Sequence, residues 1–157
     1  SMSLSCAVQL GIPDIIHNHK KPISLPDIVS TLQLPPSKIN ALHRLMSLLI
    51  HLGFFATMKI DPNHGDQEGY GLTPSSKLLI KSEMANLSPF VQAMGDPVLV
   101  TPWQFSGDWF RSNEETAFET AHGVAMWEFC DKNPKFNNTF NEAMGSDSRM
   151  MSLVVRD

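Results

Sequence analysis

The sequence predicts a mainly α-helical chain that opens with a winged-helix-like unit carrying a small β-hairpin and continues as a helical region. Three observations support this fold class. Apolar residues recur at helical spacing in successive segments before residue 53, two strand-like segments then flank a polar turn, and helical spacing returns after residue 73. We expect the winged-helix-like unit to occupy residues 1–80 and the helical region residues 81–157.

The first predicted helices are short. Apolar residues between positions 4 and 16 recur at helical spacing, but Gly11 and Pro13 interrupt them. We therefore expect two helical pieces joined at a bend. Ser24 stands two residues before Pro26, the usual order for an N-cap followed by proline in the first turn, so it predicts the start of a further short helix.

A longer helix and a hairpin complete the first unit. One apolar face runs from Ile39 to Leu52, and Gly53 follows it as a helix-ending residue. Residues 54–60 read as a strand, residues 61–66 supply turn chemistry, and residues 70–73 read as the returning strand. The order helix, helix, longer helix, hairpin is typical of a winged helix.

The remainder of the chain is predicted to be helical. A short helix is expected over residues 74–79, and a longer one over residues 88–110 with a proline break at positions 96–97. Residues 116–123 predict another helix. Residues 133–157 predict one or two more.

Composition limits the possible functions. The 157 residues carry a formal charge of −4, which excludes the overall positive charge needed for sequence-independent nucleic-acid binding. Two cysteines, Cys6 and Cys130, make no disulfide framework, and no apolar run reaches the ~20 residues of a membrane span. A cytoplasmic protein without membrane contact is expected. Apolar character continues to both ends, so we also expect the chain to be a portion of a longer protein.

A winged helix raises the possibility of DNA binding through its third helix. Residues 1–72 argue against it, because their five basic side chains are balanced by five acidic ones. The third helix also contains the apolar run Leu48, Leu49 and Ile50, which predicts apolar surface on more than one face. Such a helix favours a protein partner, as in a dimer or domain interface.

Few residues carry the pattern of a reactive or metal site. His17 and His19 lie beside lysines, with no acidic or cysteine ligand nearby. Cys130 is flanked by Glu128 and Asp131, and carboxylates raise the pKa of a thiol, which disfavours a nucleophile. No nucleophile elbow or cofactor fingerprint is present. We therefore predict neither a catalytic residue nor a metal ligand in this chain.

The second half is rich in methionine and aromatic residues. Phe136, Phe140 and Met144 recur every four residues and therefore share a helical face, over which residues 126–129 could close. Two interpretations remain open at this point. These side chains either pack a core, or they form a flat slot in which rings and thioethers hold a planar aromatic ligand.

Several sequence stretches together resemble the N-terminal part of plant small-molecule O-methyltransferases of the caffeate, chalcone, isoflavone and stilbene type. Residues 126–129 and 141–144 are most similar to the isoflavone and stilbene enzymes. The matching stretches are residues 2–4, 11–16, 44–46, 53–54, 70–73, 121–123, 127–129, 140–144 and 146–148.

The resemblance implies that the winged-helix-like unit forms a homodimer. It also implies a C-terminal Rossmann-like domain that binds S-adenosylmethionine and carries the catalytic histidine. We expect that domain to be absent from this chain, so these residues alone should bind no S-adenosylmethionine and transfer no methyl group.

The resemblance also assigns roles to individual residues. Ser148 falls where the family approaches S-adenosylmethionine, and Cys130 stands where the caffeate-type enzymes have histidine. The residues implied to contact a small phenolic substrate are Met126, Trp127, Cys130, Phe136, Phe140 and Met144, together with Met94 and Leu99.

The function expected from these observations is that of the dimer-forming and acceptor-contacting portion of an O-methyltransferase. Its acceptor would be a phenolic hydroxyl of an isoflavonoid, flavonoid or stilbene. A truncated, inactive paralogue that serves as a dimerisation module is the alternative. A winged-helix DNA-binding regulator is a further one.

Overall fold

The computed structural model describes residues 1–155, in which contacts define two compact units, a first unit of residues 1–88 and a second unit that starts at Pro89. Helices dominate both units, and a two-stranded antiparallel sheet lies in the first. The prediction of a mainly helical fold with a small hairpin is confirmed. Among the helices of residues 1–155, none combines membrane-spanning length with sufficient apolar character.

The first unit follows the predicted order of elements. Gly11 adopts φ 74° between the first two helices, which is the predicted bend. The Ser24 hydroxyl accepts a hydrogen bond from the backbone N–H of Asp27 at 3.3 Å, which is the predicted N-cap. The elements are α1 (Met2–Gln9), α2 (Ile12–His19), α3 (Leu25–Thr31), a 3-10 turn (Pro36–Lys38), α4 (Ile39–His51), β1 (Phe55–Lys59), β2 (Glu68–Leu72) and α5 (Pro74–Lys77).

The hairpin gains a third backbone partner. Its strands pair in register from Phe55 opposite Leu72 to Lys59 opposite Glu68. Ile23, just before α3, exchanges two backbone hydrogen bonds with Tyr70, of 3.1 and 2.8 Å. Ile23 therefore covers the outer edge of β2 at Tyr70. Its two hydrogen bonds limit how far the hairpin can move from α3.

Helix α4 is the centre of the first unit. It contacts α1, α3 and β1, and its buried stripe consists of Leu42, Met46 and Leu49. The Thr73 hydroxyl lies between carbonyl oxygens of Gly53 and Phe54, each at 2.9 Å, and so connects the segment after α4 to the start of α5. The other buried apolar residues of this unit are Leu4, Ala7, Val8, Ile12, Ile16, Ile23, Ile28, Phe55, Leu79 and Ile80.

The division after Ser88 lies eight residues beyond the boundary expected from sequence. Two hydrogen bonds give the physical reason. The backbone N–H of Lys81 donates to Asp14 of α2 at 2.9 Å, and the buried Ser88 hydroxyl donates to the carbonyl of Leu79 at 2.6 Å. Residues 81–88 therefore fold back onto the first unit.

Over its described residues the second unit contains helices and their connections and no strand. The expected helix over residues 88–110 is three helices. Asp96 caps a new helix that starts at Pro97, where its carboxylate accepts a hydrogen bond from the Val98 N–H, and a further helix starts after Phe105. Residues 134–154 form one long helix. The elements are α6 (Ser88–Met94), α7 (Pro97–Gln104), α8 (Ser106–Trp109), α9 (Ala117–His122), α10 (Met126–Lys132) and α11 (Pro134–Val154).

Cys130 belongs to the small core of the second unit, with Phe118, Phe136 and Ala143. Burial raises the pKa of the Cys130 thiol, and the neighbouring Asp131 carboxylate raises it further. Both effects keep the sulfur protonated. The side chain therefore packs as a small apolar group and is a poor nucleophile.

Gly69 gives a test of the hairpin's packing. A methyl group added there would meet the carbonyl oxygen of Ile23 at 2.9 Å, and this backbone cannot yield without losing its pairing to Tyr70. We expect Gly69→Ala to lower the free energy of unfolding by about 1–3 kcal/mol, measured by urea denaturation. In the control, Gly71→Ala, the new methyl meets the Met58 side chain, which is exposed and can rotate away. Equal losses in the two variants would contradict this description.

The two thiols should differ in reactivity. Cys6 is exposed and Cys130 is buried with a raised pKa. At neutral pH we expect one thiol of the native chain to react rapidly with an aromatic disulfide reagent and the second to react only in denaturant. Cys6→Ser should remove the rapid phase. A rapid phase that persists in this variant would show that Cys130 is accessible.

Candidate functional site

Six rings from three helices of the second unit form a continuous aromatic row. His122 lies 4.4 Å from Phe118 and 5.1 Å from Phe129, measured between ring centroids. Phe129 meets the edge of Phe136 at 5.6 Å, and Phe136 stacks on Phe140 at 6.1 Å. Trp127 ends the row with an edge contact to Phe140 at 6.4 Å. Contacts of this kind stabilise a fixed arrangement of rings.

His122 anchors one end of this row. Its Nε2 lies 2.8 Å from the carbonyl oxygen of Val98, which can only accept, so Nε2 carries the proton. The bond connects α9 to α7 across 24 residues of sequence. The position of α9 is set further by a capping box in which Thr116 and Glu119 bond each other's backbone N–H groups.

The residues implied to contact a substrate are distributed over four helices. Met126, Trp127 and Cys130 lie on α10, and Phe136, Phe140 and Met144 on α11. Met94 ends α6, and Leu99 lies in the first turn of α7. The structure brings Trp127, Phe136 and Phe140 into one row of rings.

Burial along α11 changes steadily. Residues four apart on an α-helix are displaced by about 40° around its axis, so a stripe at this spacing winds around the helix. Phe136 is buried, Phe140 and Met144 are half-buried, and Ser148 is exposed. Ser148, implied by the resemblance to approach S-adenosylmethionine, therefore lies on a different side of α11 from Phe136.

An open cleft of about 430 Å³ lies in the second unit. Phe136 borders it, whereas the other residues implied to contact substrate are not part of its lining. The lining consists of Asp96, Val98, Phe129, Lys132, Asn133, Pro134, Lys135, Phe136 and Thr139. The sequence carries no signal for Lys132, Lys135 or Val98. Val98 lies far from the two lysines along the chain, the three residues form no local motif, and only the fold brings them together.

The described residues offer little for metal or nucleotide chemistry. Within residues 1–155, no three His, Cys, Asp or Glu side chains cluster so that they could hold a metal ion. Gly69 and Gly71 lie in a strand of the hairpin rather than in a strand-to-helix loop.

Comparison with known proteins shows the family of this chain. The model of the O-methyltransferase dimerisation domain matches residues 1–82. Trans-resveratrol di-O-methyltransferase from Vitis vinifera is 44% identical over 155 residues, which cover 99% of this chain and 43% of the relative. Isoflavone 4'-O-methyltransferase from Lotus japonicus is 45% identical over 163 residues, which cover all of this chain and 45% of the relative.

A solved structure shows the same fold at low sequence identity. The pyocyanin biosynthetic protein PhzM has a TM-score of 0.73 and 23% identity over 93% of this chain and 40% of its own. This chain therefore spans less than half the length of the relatives that it matches. The family match confirms the resemblance noted in the sequence, and the chain belongs to the O-methyltransferase dimerisation-domain family, with plant O-methyltransferases among its relatives.

Proposed function

We propose that this chain is the N-terminal part of an S-adenosylmethionine-dependent O-methyltransferase that methylates a phenolic hydroxyl. The observation that carries the proposal is the 44% identity, over 99% of the chain, to an enzyme named for methylating resveratrol. The relative named for isoflavone methylation supports the same class of acceptor. In this proposal the first unit forms a homodimer and the second unit contacts the acceptor.

The acceptor contacts are proposed to come from α10 and α11. The rings of Trp127, Phe140 and Phe136 lie in one row. Met126 precedes Trp127, Met144 lies one helical turn after Phe140, and both methionines are half-buried. Rings and thioethers suit a planar aromatic molecule, because both are polarizable and apolar. Leu99 and Met94 are proposed to lie at the edge of this contact. Cys130 would contribute shape, since its thiol is buried and protonated.

These residues would act by positioning. S-adenosylmethionine, when bound, supplies the methyl group, and Ser148 is proposed to lie near it. The rings hold the phenol in one orientation and exclude water, which reduces the entropic cost of aligning the hydroxyl oxygen. No described side chain is proposed as the base that removes the phenolic proton.

Helix α4 is proposed to form the dimer contact. Leu48 on its outer side and Leu52 at its C-cap are 43% and 48% exposed, although the stripe of Leu42, Met46 and Leu49 fills the core. Exposed leucines that lie one helical turn apart mark a protein contact. A nucleic-acid contact is disfavoured because the five basic side chains of residues 1–72, Arg44 among them, are balanced by five acidic ones. The two free cysteines fit a reducing compartment, and we place the protein in the cytoplasm.

Dimer formation can be measured on the chain itself. We expect light scattering after gel filtration to give twice the 17.5 kDa chain mass. Leu48→Glu and Leu52→Glu should shift the equilibrium toward monomer, because each buries a charge in an apolar contact. Met84→Glu is the matched control, since Met84 is 91% exposed and lies outside α4. A monomeric native chain at tens of micromolar would contradict the proposal.

The reading frame downstream of Asp157 tests the enzyme assignment. We expect it to encode a glycine-rich strand-to-helix turn and a histidine that can serve as base. The product of that complete frame should methylate flavonoids or stilbenes with labelled S-adenosylmethionine. A stop codon directly after Asp157 would contradict the enzyme proposal.

In that product, Phe140→Ala should lower kcat/KM for the phenol by about fivefold or more, because the aromatic contact alone contributes about 1 kcal/mol beyond area burial. Trp103→Ala is the control, since Trp103 is 79% exposed and has no proposed acceptor contact. Circular dichroism would confirm that both variants retain helix. Equal kcat/KM values for both variants would show that Phe140 does not contact the acceptor.

A further inference from the structure

We propose that the cleft between α7, α10 and α11 of the second unit is a binding site for a small aromatic carboxylate. The cleft has a volume of about 430 Å³, within the range of small-molecule sites. It differs from the proposed acceptor contacts, of which Phe136 alone borders it. The inference therefore does not depend on the proposed methyl transfer.

The apolar part of the cleft is preformed. Phe129 and Phe136 meet edge to face at 5.6 Å, and both border the cleft. Phe129 is held by His122 at 5.1 Å between ring centroids, and the same imidazole bonds the carbonyl of Val98, which also lines the cleft. The backbone N–H of Val98 is fixed in turn by the Asp96 carboxylate at 2.9 Å. A flat ring can therefore enter without reorganising the walls.

The charged part of the cleft selects an anion. Residues 89–155 contain nine acidic side chains but only four basic ones, and their two lysines, Lys132 and Lys135, both line this cleft. Since Glu128 pairs with Lys132, the positive charge available to an anion in this cleft is that of Lys135. Together with the apolar wall, it specifies a ring that carries a carboxylate.

The two lysines are not equivalent. Lys132 Nζ lies 2.6 Å from a carboxylate oxygen of Glu128, so its charge is already compensated. The described residues place no acidic side chain within ion-pair distance of Lys135. Lys135 is therefore the group that would pair with the ligand.

Asp96 sets the orientation of the ligand. It is the acidic residue of the lining, and a carboxylate placed beside it would be repelled. The charged end of the ligand should therefore lie toward Lys135 in the first turn of α11. Its ring should lie against Phe129 and Val98.

The test uses trans-cinnamate, which has an aromatic ring and a carboxylate but no hydroxyl group to methylate. Titration into the ¹⁵N-labelled chain, followed by amide chemical shifts, should give a dissociation constant on the order of 1 mM, as expected for about eleven non-hydrogen atoms in an open cleft. The shifted amides should include those of the lining residues. Uncharged cinnamamide should bind about fivefold more weakly.

Three variants measure how individual charged side chains contribute to cinnamate binding. Lys135→Gln should weaken cinnamate binding about fivefold, and Lys132→Gln less than about twofold, because Glu128 already pairs with Lys132. Asp96→Asn should strengthen binding about twofold, since it removes the repulsion while asparagine still caps α7. Arg149→Gln, an exposed cation further along α11, is the matched control and should change nothing.

Two kinds of result would overturn the proposal. One is the absence of amide shifts in the lining at about 10 mM cinnamate, tenfold above the expected dissociation constant. The other is binding that ignores charge, seen as equal affinities for cinnamate and cinnamamide or as equal effects of Lys135→Gln and Arg149→Gln. Neither outcome tests methyl transfer. The proposed function is tested independently, by the activity of the product of the complete reading frame.

Discussion

Helix α4 has more apolar surface than the first unit can bury, and much of this unit follows from that constraint. The stripe of Leu42, Met46 and Leu49 is fully enclosed, and each such side chain contributes about 1.5–3 kcal/mol through burial. Helices α1 and α3 and strand β1 pack on this stripe. Leu48 and Leu52 remain outside, on a unit whose charges nearly cancel. This arrangement leaves apolar side chains exposed on a nearly neutral surface, which supports the proposed dimer contact.

The second unit is stabilised by a different kind of contact. Its core is small, and rings that meet at their edges replace a closely packed aliphatic interior. The hydrogen bond from His122 to Val98 and the row from Phe118 to Trp127 hold α7, α9, α10 and α11 in place. Two of these rings, Phe129 and Phe136, also line the open cleft. Packing and ligand contact are therefore both reasonable interpretations of such residues.

Much of the fold was predictable because its signals are local. The bend at Gly11, the cap at Ser24 and the hairpin turn each arise from a few neighbouring residues whose backbone preferences agree. Helix α10 was not predicted, because Ala125 at its N-cap position makes no side-chain hydrogen bond and so leaves no signature. The split of residues 88–110 into three helices was only partly predicted. The break at Asp96 has a cap and a proline, whereas the break at Phe105 has neither.

The sequence by itself determined the fold class, the neutral and apolar character of the first unit, and the family, since each depends on residue types and their spacing along the chain. The tertiary structure alone decided which rings touch, which thiol is buried, and where the two lysines of the second unit lie. The physical reason is distance along the chain. Asp96 and Lys135 line one cleft although 38 positions separate them, and no local preference of either residue encodes that proximity.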